Sequence, residues 1–592
     1  MNVCRIKRRA ALIAVLAIFS TQALCQTPLR SFEECERYPV PQEKVILPVE
    51  APFVIRITTQ KELAKLNEWV RKAIKDGKKN IVVDMMPGTY YYDTRPVYLY
   101  NINAPNVSIS IKGSAVTMVA AGKDYASAAQ VTEPSPERVY LDRSGRAIDL
   151  YGDVLRSGEQ VEVLNTKSKV CRLRLAENLT FYPGMRIQLS KWYKTGLYPV
   201  QRIEGGYVYF VAEDLEYNTA RKCYNVNLDY GVSKIYPRYR IWNPAKLGGT
   251  KAAVHECSVY SFLVLYQVKL RSFSILGLSF NGAAKGSKDA MLYFRDVEAQ
   301  QVSIKNCTFE NINFRAVQLN KTNNFVFKNN KMENCMYTGV YSYIDCNNTI
   351  VSNNRFFRMG KAWSNISTVF CSGKNFVIAD NVFEDCGYCS ISVGANKNWT
   401  KENVSRGIIE HNHIWYGDEY FRNGFKYNLV DGGAIYIATM NEKIIVRYNY
   451  IHNISGPGSN RGIYCDDGAM NVKIYGNVIR DIANGHAVFS WLAKEVNKTV
   501  PGSNDGIDFF YNVIWGKYKF DERPGSSCVQ GRNLVLYDGE RPENLLSNFA
   551  YQEEDGCFSE CSVRCGKVKL ARKAKKELRG FPTYRKLKRW IR

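Results

Sequence analysis

The stretch Phe327-Lys-Asn-Asn330-Lys-Met332 recurs as Val351-Ser-Asn-Asn354-Arg-Phe356 and as Ile378-Ala-Asp-Asn381-Val-Phe383. Each copy holds an apolar residue, then an Asn three positions later, then a second apolar residue. The Asn slot is filled again by Asn412, Asn449, Asn477 and Asn512, and two earlier copies fill it with Leu278 and Cys307. Successive slots are 29, 23, 24, 27, 31, 37, 28 and 35 residues apart. A minimum near 23 with variable excess is typical of a solenoid with loop insertions.

The residue types in these copies favour strands over helices. The apolar segments are short, rich in β-branched residues and bounded by Asn and Gly. Asn suits a recurring tight turn because it tolerates left-handed backbone and can bond to the coils above and below. The sequence therefore predicts an all-β protein, a parallel β-helix.

A second column supports this prediction. Each repeat carries a small residue, then Val or Ile, then usually an aromatic residue, as in Gly339-Val340-Tyr341 and Gly462-Ile463-Tyr464. Strand alternation places the Val or Ile inside, together with the residue two positions later. Inside positions then include Cys371 and Cys465, which we expect to be packed structural thiols.

The N-terminal half adds two further elements. Thr59-Gln-Lys-Glu62 is a capping box that opens an amphipathic helix through about Lys75, which would cap the first coil. Residues 125–245 break the repeat and alternate as short antiparallel strands, so we interpret them as an inserted β domain. The predicted organisation is a signal peptide at 1–25, a linker at 26–50, cap and first coils at 51–124, the insert, repeats at 246–520, and a C-terminal cap with a basic tail at 521–592.

Charge and ends point to export rather than to nucleic-acid binding. The net charge of the 592 residues is +25, but residues 1–25 carry +4 and residues 556–592 carry +11, which leaves a mild +10 between them. Residues 1–26 have a basic start, an apolar run and Ala23-Leu24-Cys25, as in an export signal; lipidation at Cys25 is the weaker alternative. No later run is long enough to span a membrane. We expect a periplasmic, extracellular or surface-attached monomer.

The outer face of the predicted strands offers a groove for a sugar chain. One outward column reads Tyr343, Ser372, Gly394, Ala438, Asp466 and Trp491, a shallow floor that leads to a carboxylate. A parallel column holds Tyr341, Phe370, Tyr436, Tyr464 and Phe489. Aromatic faces suit sugar contact, although such a stack can also serve only to stabilise the coil.

Carboxylates are the candidate catalytic groups, because glycoside cleavage uses one to protonate the leaving oxygen and one to attack or to activate water. The candidates are Asp431, Asp466 and Asp467, each next to a glycine or a second acid, where plain turn chemistry is the alternative. In strict register, Asp431 lies four residues before the centre of its strand, and Asp466 lies three residues after the centre of the next strand. This offset of seven residues along adjacent extended strands is roughly 23 Å, which is too far for a catalytic pair of acids. Either Gly432 and Gly433 fold Asp431 back, or the partner is another residue.

Further polar residues cluster in the same part of the chain. His452 and His486 lie within residues 411–486, which hold four of the five histidines. Arg461 and His486 flank the starts of two of the predicted strands and can anchor an anionic sugar or assist proton transfer. Cys557, Cys561 and Cys565 lack the partners of a zinc site, so no metal is predicted.

Residues 431–479, with Asp-Gly-Gly-Ala-Ile-Tyr436 followed by Gly-Ile-Tyr-Cys-Asp466-Asp-Gly, resemble secreted right-handed parallel β-helix proteins of polysaccharide-degrading bacteria. The likeness is greatest to glycoside hydrolases of family 141, which include α-L-fucosidases and xylanases, and it covers most of residues 50–520. It implies catalysis by two aspartates, which carries over to Asp431 and to Asp466 or Asp467. Cys465 and the Cys-containing basic tail depart from the family pattern.

The sequence thus predicts an exported glycoside hydrolase that acts on a polysaccharide or oligosaccharide. Tyr343, Tyr436, Tyr464, Arg461, His452, His486 and Trp491 are the expected substrate-binding residues. The alternatives are a polysaccharide lyase, which would use Arg447, Arg461, His452 or His486 and can require Ca²⁺, and a glycan-binding protein without catalysis. The hydrolase needs no cofactor.

Overall fold

The computed structural model describes the following residues: 40–92, 95–120, 136, 139–141, 147–191, 194–219, 222–225, 237–248, 255–257, 261–282, 290–312, 314–343, 345–394, 405–417, 429, 431–438, 441–456, 458–466, 468–491, 505–510, 512–520, 530–531, 533–537, 549–552, 563–564 and 567–568. The predicted signal peptide, Asp467 and most of the basic tail lie outside them.

Thirty-three strands pair in parallel and wind into coils with three sheets. Strands are numbered in chain order. The first sheet holds residues 97–104 of β4 (Val97–Ala120), residues 263–270 of β17 (Leu263–Asn281), β18 (Leu292–Glu298), β21 (Val317–Thr322), β24 (Val340–Ser342), β27 (Ser367–Cys371), β30 (Cys389–Val393), β33 (Ile435–Ala438), β36 (Arg461–Asp466), β39 (His486–Ser490) and β42 (Lys517–Phe520). β4 and β17 are long because each runs through all three sheets of one coil.

The second and third sheets complete each coil. The second holds β1 (Phe53–Ile57), β2 (Asn80–Met85), residues 108–113 of β4, residues 272–276 of β17, β19 (Gln301–Lys305), β22 (Phe325–Lys328), β25 (Ile350–Ser352), β28 (Lys374–Ala379), β31 (Ser405–Glu410), β34 (Asn441–Arg447), β37 (Val472–Tyr475), β40 (Asp508–Phe510) and β43 (Gln530–Gly531). The third holds β3 (Gly88–Tyr92), residues 116–120 of β4, residues 279–281 of β17, β20 (Thr308–Glu310), β23 (Lys331–Glu333), β26 (Arg355–Phe357), β29 (Val382–Glu384), β32 (His413–Trp415), β35 (Tyr450–His452), β38 (Val478–Ile479), β41 (Val513–Trp515), β44 (Leu534–Tyr537) and β45 (Phe549–Gln552).

This architecture confirms the predicted parallel β-helix. The pairing continues past residue 520, where we expected the repeats to end, because another buried Asn, Asn533, fills the turn slot of a further coil. Val340, Val369 and Ile463 are fully buried, as strand alternation predicts. Cys371 and Cys465 are also buried, so both thiols pack in the core as expected.

The asparagine slots form a buried ladder along the coil. Asn381 shows the pattern: its Nδ2 donates 2.9 Å to Val351 O and 3.0 Å to Asn412 Oδ1, and its Oδ1 accepts from the backbone N–H of Asn354. The prediction of left-handed backbone at the ladder Asn is wrong. The left-handed residue is the one before it, such as Asn353 or Asp380, because that residue makes the corner while the ladder Asn turns its amide inward.

Two elements flank the coil. Helix α1 (Gln60–Lys75) begins at the predicted capping box, with Thr59 and Glu62 exchanging hydrogen bonds, and it buries Leu63, Leu66 and Val70 against the first coil. Between β4 and β17, a seven-stranded sheet with antiparallel pairing contains β7 (Leu155–Arg156), β8 (Glu162–Asn165), β9 (Val170–Arg174), β10 (Arg186–Lys191), β11 (Lys194–Glu204), β12 (Tyr207–Val211) and β15 (Arg238–Trp242). Smaller elements are β5 (Val139–Leu141), β6 (Ala147–Ile148), β13 (Glu216–Asn218), β14 (Cys223–Asn225), helix α2 (Ala245–Gly248), β16 (His255–Cys257), β46 (Val563–Arg564) and β47 (Lys567–Val568).

The antiparallel sheet is anchored to the coil through a buried arginine. Arg240, 1% exposed, donates to Gln188 Oε1 at 2.7 Å and to the carbonyl of Lys361 at 3.0 Å. The Nε2 of Gln188 in turn donates to the carbonyl of Ala362 at 3.1 Å. Trp363, fully buried, packs with Val154 of the inserted segment. The insert therefore sits directly against the turn that follows β26.

Candidate active site

The candidate site lies on the outer side of the first sheet, where β33 and β36 run side by side. The register pairs Tyr436 with Tyr464 and Ala438 with Asp466. Strand alternation turns Ile435 and Ile463 into the core, so the tyrosines face outward. The carboxylate of Asp466 follows at the end of β36, one strand spacing from Ala438.

The backbone before β33 turns back sharply at Asp431. This residue has a φ of 77°, in the left-handed region that Asp tolerates better than most side chains. The next two residues are Gly432 and Gly433, and the chain passes so close to the preceding coil that a Cβ on Gly432 would lie 2.6 Å from Tyr388 O. Only glycine fits that approach, and it brings Asp431 back over the first sheet.

Three side chains hold Asp431. Tyr464 donates its hydroxyl to Oδ1 at 3.3 Å, and a guanidinium nitrogen of Arg461 lies 3.6 Å from the same oxygen. Tyr388 donates to the backbone carbonyl of Asp431 at 3.2 Å. Arg461 also stacks on Tyr464, with 4.1 Å from its guanidinium carbon to the ring centroid. The Asp431 side chain remains 34% exposed, so it faces the groove.

Asp466 lies deeper than the sequence suggested. We expected it on an exposed ridge, but it is only 4% exposed, and that expectation is wrong. The reason is the pair of tyrosines beside it: Tyr436 donates a 2.6 Å hydrogen bond to Oδ2, and the Tyr464 hydroxyl also bonds to this carboxylate. Asp466 is therefore a carboxylate at the floor of the groove rather than on its rim.

One phenol thus joins the two acids. The Asp466 carboxylate acts directly on the pKa of Asp431, so the two acids lie close enough to interact. The extended-chain separation of roughly 23 Å does not apply, since the turn at Asp431 and its glycines reverses the chain. Pairs of interacting carboxyl groups are found in glycoside hydrolases.

The surroundings of Asp431 favour its protonated form. Burial, and then the neighbouring Asp466 carboxylate, raise the pKa of Asp431 to about 6, while Arg461 and the Tyr464 hydrogen bond act in the opposite direction. Burial and the same carboxylates raise the pKa values of Tyr388, Tyr436 and Tyr464 well above the usual value for a phenol. The tyrosines are therefore hydrogen-bond donors, and Asp431 is a carboxyl group that keeps its proton up to about pH 6.

The structure places several other predicted residues in this groove. His486 pairs in register with Arg461 on the next coil. Trp491, 42% exposed, stacks on Phe489 with ring centroids 6.2 Å apart. Tyr343 is half-buried and stacks on Tyr341 farther up the same sheet. These residues extend the groove in both directions from the two aspartates.

Two residues considered for lyase chemistry lie on other sheets. His452 is on β35 in the third sheet, where its Nε2 is 2.9 Å from His413 Nε2. Arg447, on the second sheet, is buried and donates to Glu410 at 2.6 Å and to Tyr475 at 3.2 Å. Their expected place beside the acids was wrong, because sequence proximity within one coil spans three sheets.

Tyr388 is the site residue that sequence reasoning missed. It stands just before β30, as Asp431 stands just before β33, and both have positive φ. Its ring packs against a cluster of Trp363, Leu429 and Val154, which links the site to the inserted sheet. A comparison of the positions that precede each strand of the first sheet, one coil apart, could have identified it.

In the part of the chain that the structure describes, no group of three or more His, Cys, Asp or Glu side chains is arranged to hold a metal ion. Likewise, no helix among the described residues is both long and apolar enough to cross a bilayer.

Comparisons with known proteins agree with the fold. The family model for a right-handed beta helix region matches residues 279–405. A solved glycoside hydrolase structure is similar, with 10% identity, coverage of 84% of this chain and 96% of that chain, and a TM-score of 0.43. The mannuronan C-5 epimerase AlgE6 A-module of Azotobacter vinelandii has 11% identity, coverage of 83% of this chain and 91% of that chain, and a TM-score of 0.40. PfbA, a surface adhesin of Streptococcus pneumoniae, has 10% identity, coverage of 83% of this chain and 88% of that chain, and a TM-score of 0.36. No curated protein matches by sequence. The chain is a right-handed parallel β-helix protein.

Proposed function

We propose that this protein is a glycoside hydrolase that cleaves a polysaccharide bound along the first sheet. The observation that carries the proposal is the pair of carboxylates joined by Tyr464, of which Asp431 has its pKa raised to about 6. Glycoside hydrolysis requires one carboxyl group that gives a proton and one carboxylate that attacks or activates water, in environments that set their pKa values apart.

The two acids take different roles in this proposal. Asp431 faces the groove and keeps its proton up to about pH 6, so it protonates the leaving glycosidic oxygen. Asp466 lies at the floor, held by Tyr436, and acts on the anomeric carbon either directly or through a water molecule. Arg461 fixes the orientation of the Asp431 carboxyl, and Tyr388 holds its backbone. The resemblance to family 141 enzymes supports the same assignment of acids.

Hydrolysis is favoured over β-elimination by the state of the tyrosines and by the location of two of the four candidate lyase residues. A lyase needs a group that removes the proton next to a uronate carboxyl, and the tyrosines here have pKa values raised well above 10. Arg447 and His452 lie on the other two sheets. We also propose that the protein is exported, because residues 1–26 have the pattern of a cleaved signal.

The test is single replacement of each acid. Asp431→Asn and Asp466→Asn should each lower reducing-sugar release from the active substrates of a polysaccharide panel by roughly 10²–10⁴-fold, because each removes a proton donor or a carboxylate from the transition state. The matched control is Asp345→Asn, which changes an exposed aspartate that also has left-handed backbone, φ 53°, at the end of β24. It should keep wild-type activity.

Two outcomes would overturn the proposal. Full activity of both site variants, with circular dichroism unchanged, would remove the acids from the reaction. Products that absorb in the ultraviolet as unsaturated uronides would show elimination instead of hydrolysis.

A further inference from the structure

A second polar site lies farther up the groove, at Arg315. Its guanidinium stacks on the ring of Tyr341 at 3.8 Å and lies 4.6 Å from Phe314. One of its nitrogens donates to Gln318 Oε1 at 2.9 Å. Of the carboxylates that the structure describes, none is within ion-pair distance of Arg315.

This cation is partly removed from water, and among the described residues no carboxylate compensates its charge. Burial is the largest cause of a lowered pKa at Arg315, and the neighbours that oppose the shift are tyrosines rather than acids. A half-buried arginine is usually paired with a carboxylate or another anion, because desolvating a charge is unfavourable. By contrast, Arg355 on the third sheet is ion-paired with Glu384 at 3.0 Å.

Arg315 occupies the same position in its coil as Arg461 does at the candidate active site. Arg315 lies two residues before Val317, and Arg461 lies two residues before Ile463. Val317 and Ile463 are buried at the same register position of the first sheet, linked by successive strand pairings. Each also lies over an aromatic ring of the following coil: Arg315 over Tyr341 and Arg461 over Phe489 at 4.9 Å. The groove therefore carries an equivalent cation at two points.

The surface between the two arginines is continuous. From Tyr341 the outer column runs through Phe370 and Ser392 to Tyr436, with Tyr341 and Phe370 stacked at 5.0 Å between centroids. Four strand spacings of about 4.8 Å separate β21 from β33, or roughly 19 Å. A sugar chain that covers one spacing per unit would reach from Asp431 to Arg315 with roughly four units.

We propose that Arg315 binds an anionic group, a carboxylate or sulfate, on a sugar roughly four units from the bond that Asp431 and Asp466 cleave. The substrate is then an acidic polysaccharide. The guanidinium offers its fork of N–H donors to the anion, and Tyr341 supports it from below. This inference rests on the proposed function for the position of the cleaved bond, but binding at Arg315 is measured separately.

The experiment measures binding of matched oligosaccharides to the full chain by titration calorimetry. The probes are hexagalacturonate, hexamannuronate and hexaguluronate with their carboxyl-reduced forms, and sulfated isomaltohexaose with its unsulfated form. At least one charged probe should bind 10- to 100-fold more tightly than its neutral form, which is about the effect of a charge-assisted pair of hydrogen bonds. The uronates and the sulfated probe distinguish the two kinds of anion.

Arg315→Met keeps the apolar stem over Tyr341 and should abolish the preference for charge, and Arg315→Lys should keep part of it. Arg358→Met is the matched control, since Arg358 stacks on Phe357 at 4.5 Å on another sheet. If no charged probe is preferred, or if Arg315→Met keeps the preference, the site is overturned. Asp431→Asn should bind the charged probe as wild type does. If Asp431→Asn still releases sugar, and the preference for charged probes still depends on Arg315, only the proposed hydrolysis is overturned.

Discussion

Tyr464 donates a hydrogen bond of 3.3 Å to Oδ1 of Asp431, which lies 33 residues earlier in the chain and one coil away. The same hydroxyl bonds to Asp466 on its own strand. One phenol therefore holds two acids that belong to neighbouring coils, and it opposes the rise in the pKa of Asp431 that burial causes. This arrangement makes the protonation of Asp431 open to test by mutation.

Removing that hydroxyl should move the pH profile of the enzyme. In the proposed reaction Asp431 is the proton donor, so kcat/KM should fall as pH rises through its pKa, near 6. Tyr464→Phe removes a hydrogen bond to the ionised form, so the pKa of Asp431 rises and the falling limb shifts to higher pH. The measurement is kcat/KM from pH 4 to 9. Tyr436→Phe, which loses a bond to Asp466 at 2.6 Å, is the control and should shift this limb less. A limb that moves to lower pH in Tyr464→Phe would contradict the assignment.

The Asp431 carboxyl group should also make the free energy of unfolding depend on pH. Its pKa is raised from 3.8 to about 6 on folding, so the folded protein binds more protons than the unfolded chain between these values. The contribution of Asp431 to the free energy of unfolding is therefore greatest below pH 4 and is lost as pH rises to 6. The loss is at most about 3 kcal/mol, and less in practice because water screens a side chain that is one-third exposed.

Urea unfolding of wild type and Asp431→Asn at several pH values measures this contribution. The difference between the two proteins should change in favour of the variant from pH 4 to 6 and stay constant above pH 7. A difference that does not vary with pH would mean that Asp431 has an ordinary pKa in the folded protein.

The fold could be predicted from the sequence because its determinants are periodic. The ladder slots from Asn330 to Asn512 and the buried column from Val340 to Val488 repeat once per coil, and each copy strengthens the same conclusion. Capping by Thr59 and Glu62 is equally local, since both partners lie within one helical turn. These features depend on residue type and spacing alone.

The site could be predicted only in part. Asp431 and Asp466 stand out as acids beside glycines, but their proximity depends on the left-handed turn at Asp431 and on two tyrosine rotamers, which no repeat specifies. The burial of Asp466 has the same origin. Tyr388 was missed because its role arises between coils, 43 residues from Asp431.

The inserted sheet should be needed for the geometry of the site. Arg240 ties β15 to the coil through Gln188 and the Lys361 carbonyl, next to the cluster that supports Tyr388. Arg240→Met should lower the free energy of unfolding by about 2–4 kcal/mol, because it leaves buried acceptors unpaired, and it should lower kcat as Tyr388 loses its support. Thermal unfolding and steady-state kinetics measure both effects.

The matched control for that change is Arg202→Met. Arg202 stacks on Tyr209 of the same sheet at 3.7 Å, but its side chain is 51% exposed. It should change stability by less than about 0.5 kcal/mol. Equal losses of stability in the two variants would show that the buried hydrogen bonds of Arg240 contribute no more than an exposed arginine does.

The asparagine ladder should be a main source of coil stability. Asn381 is 1% exposed and bonds to the coil on either side, so Asn381→Ala leaves buried donors and acceptors without partners. The expected loss is about 2–4 kcal/mol, from more than one unpaired group. Cys307→Ala changes a residue in the same slot of an earlier coil that carries no amide, and it should cost about 1 kcal/mol. Denaturant unfolding of both variants makes the comparison; a smaller loss for Asn381→Ala than for Cys307→Ala would contradict the role of the ladder.

The histidine pair of the third sheet should make the fold sensitive to acid. The ring of His413 stacks on Trp415, with 4.0 Å between the ring centroids. Its Nε2 lies 2.9 Å from Nε2 of His452, so one ring donates this hydrogen bond and the other accepts it. Burial, and then the neighbouring His452, lower the pKa of His413 from 6.5 to about 3. The folded protein therefore binds fewer protons than the unfolded chain between these values, and stability falls as pH drops from 6.5 toward 3. His413→Phe keeps the stack with Trp415 and removes the titrating group, so its stability should fall less over this range than that of wild type, whereas His486→Gln on the first sheet should retain the wild-type slope. Chemical unfolding at pH 7, 6, 5 and 4 tests this, and a wild-type slope in His413→Phe would show that acid sensitivity arises elsewhere. The direction is opposite to that expected from Asp431, so the two variants report on separate sites in one protein.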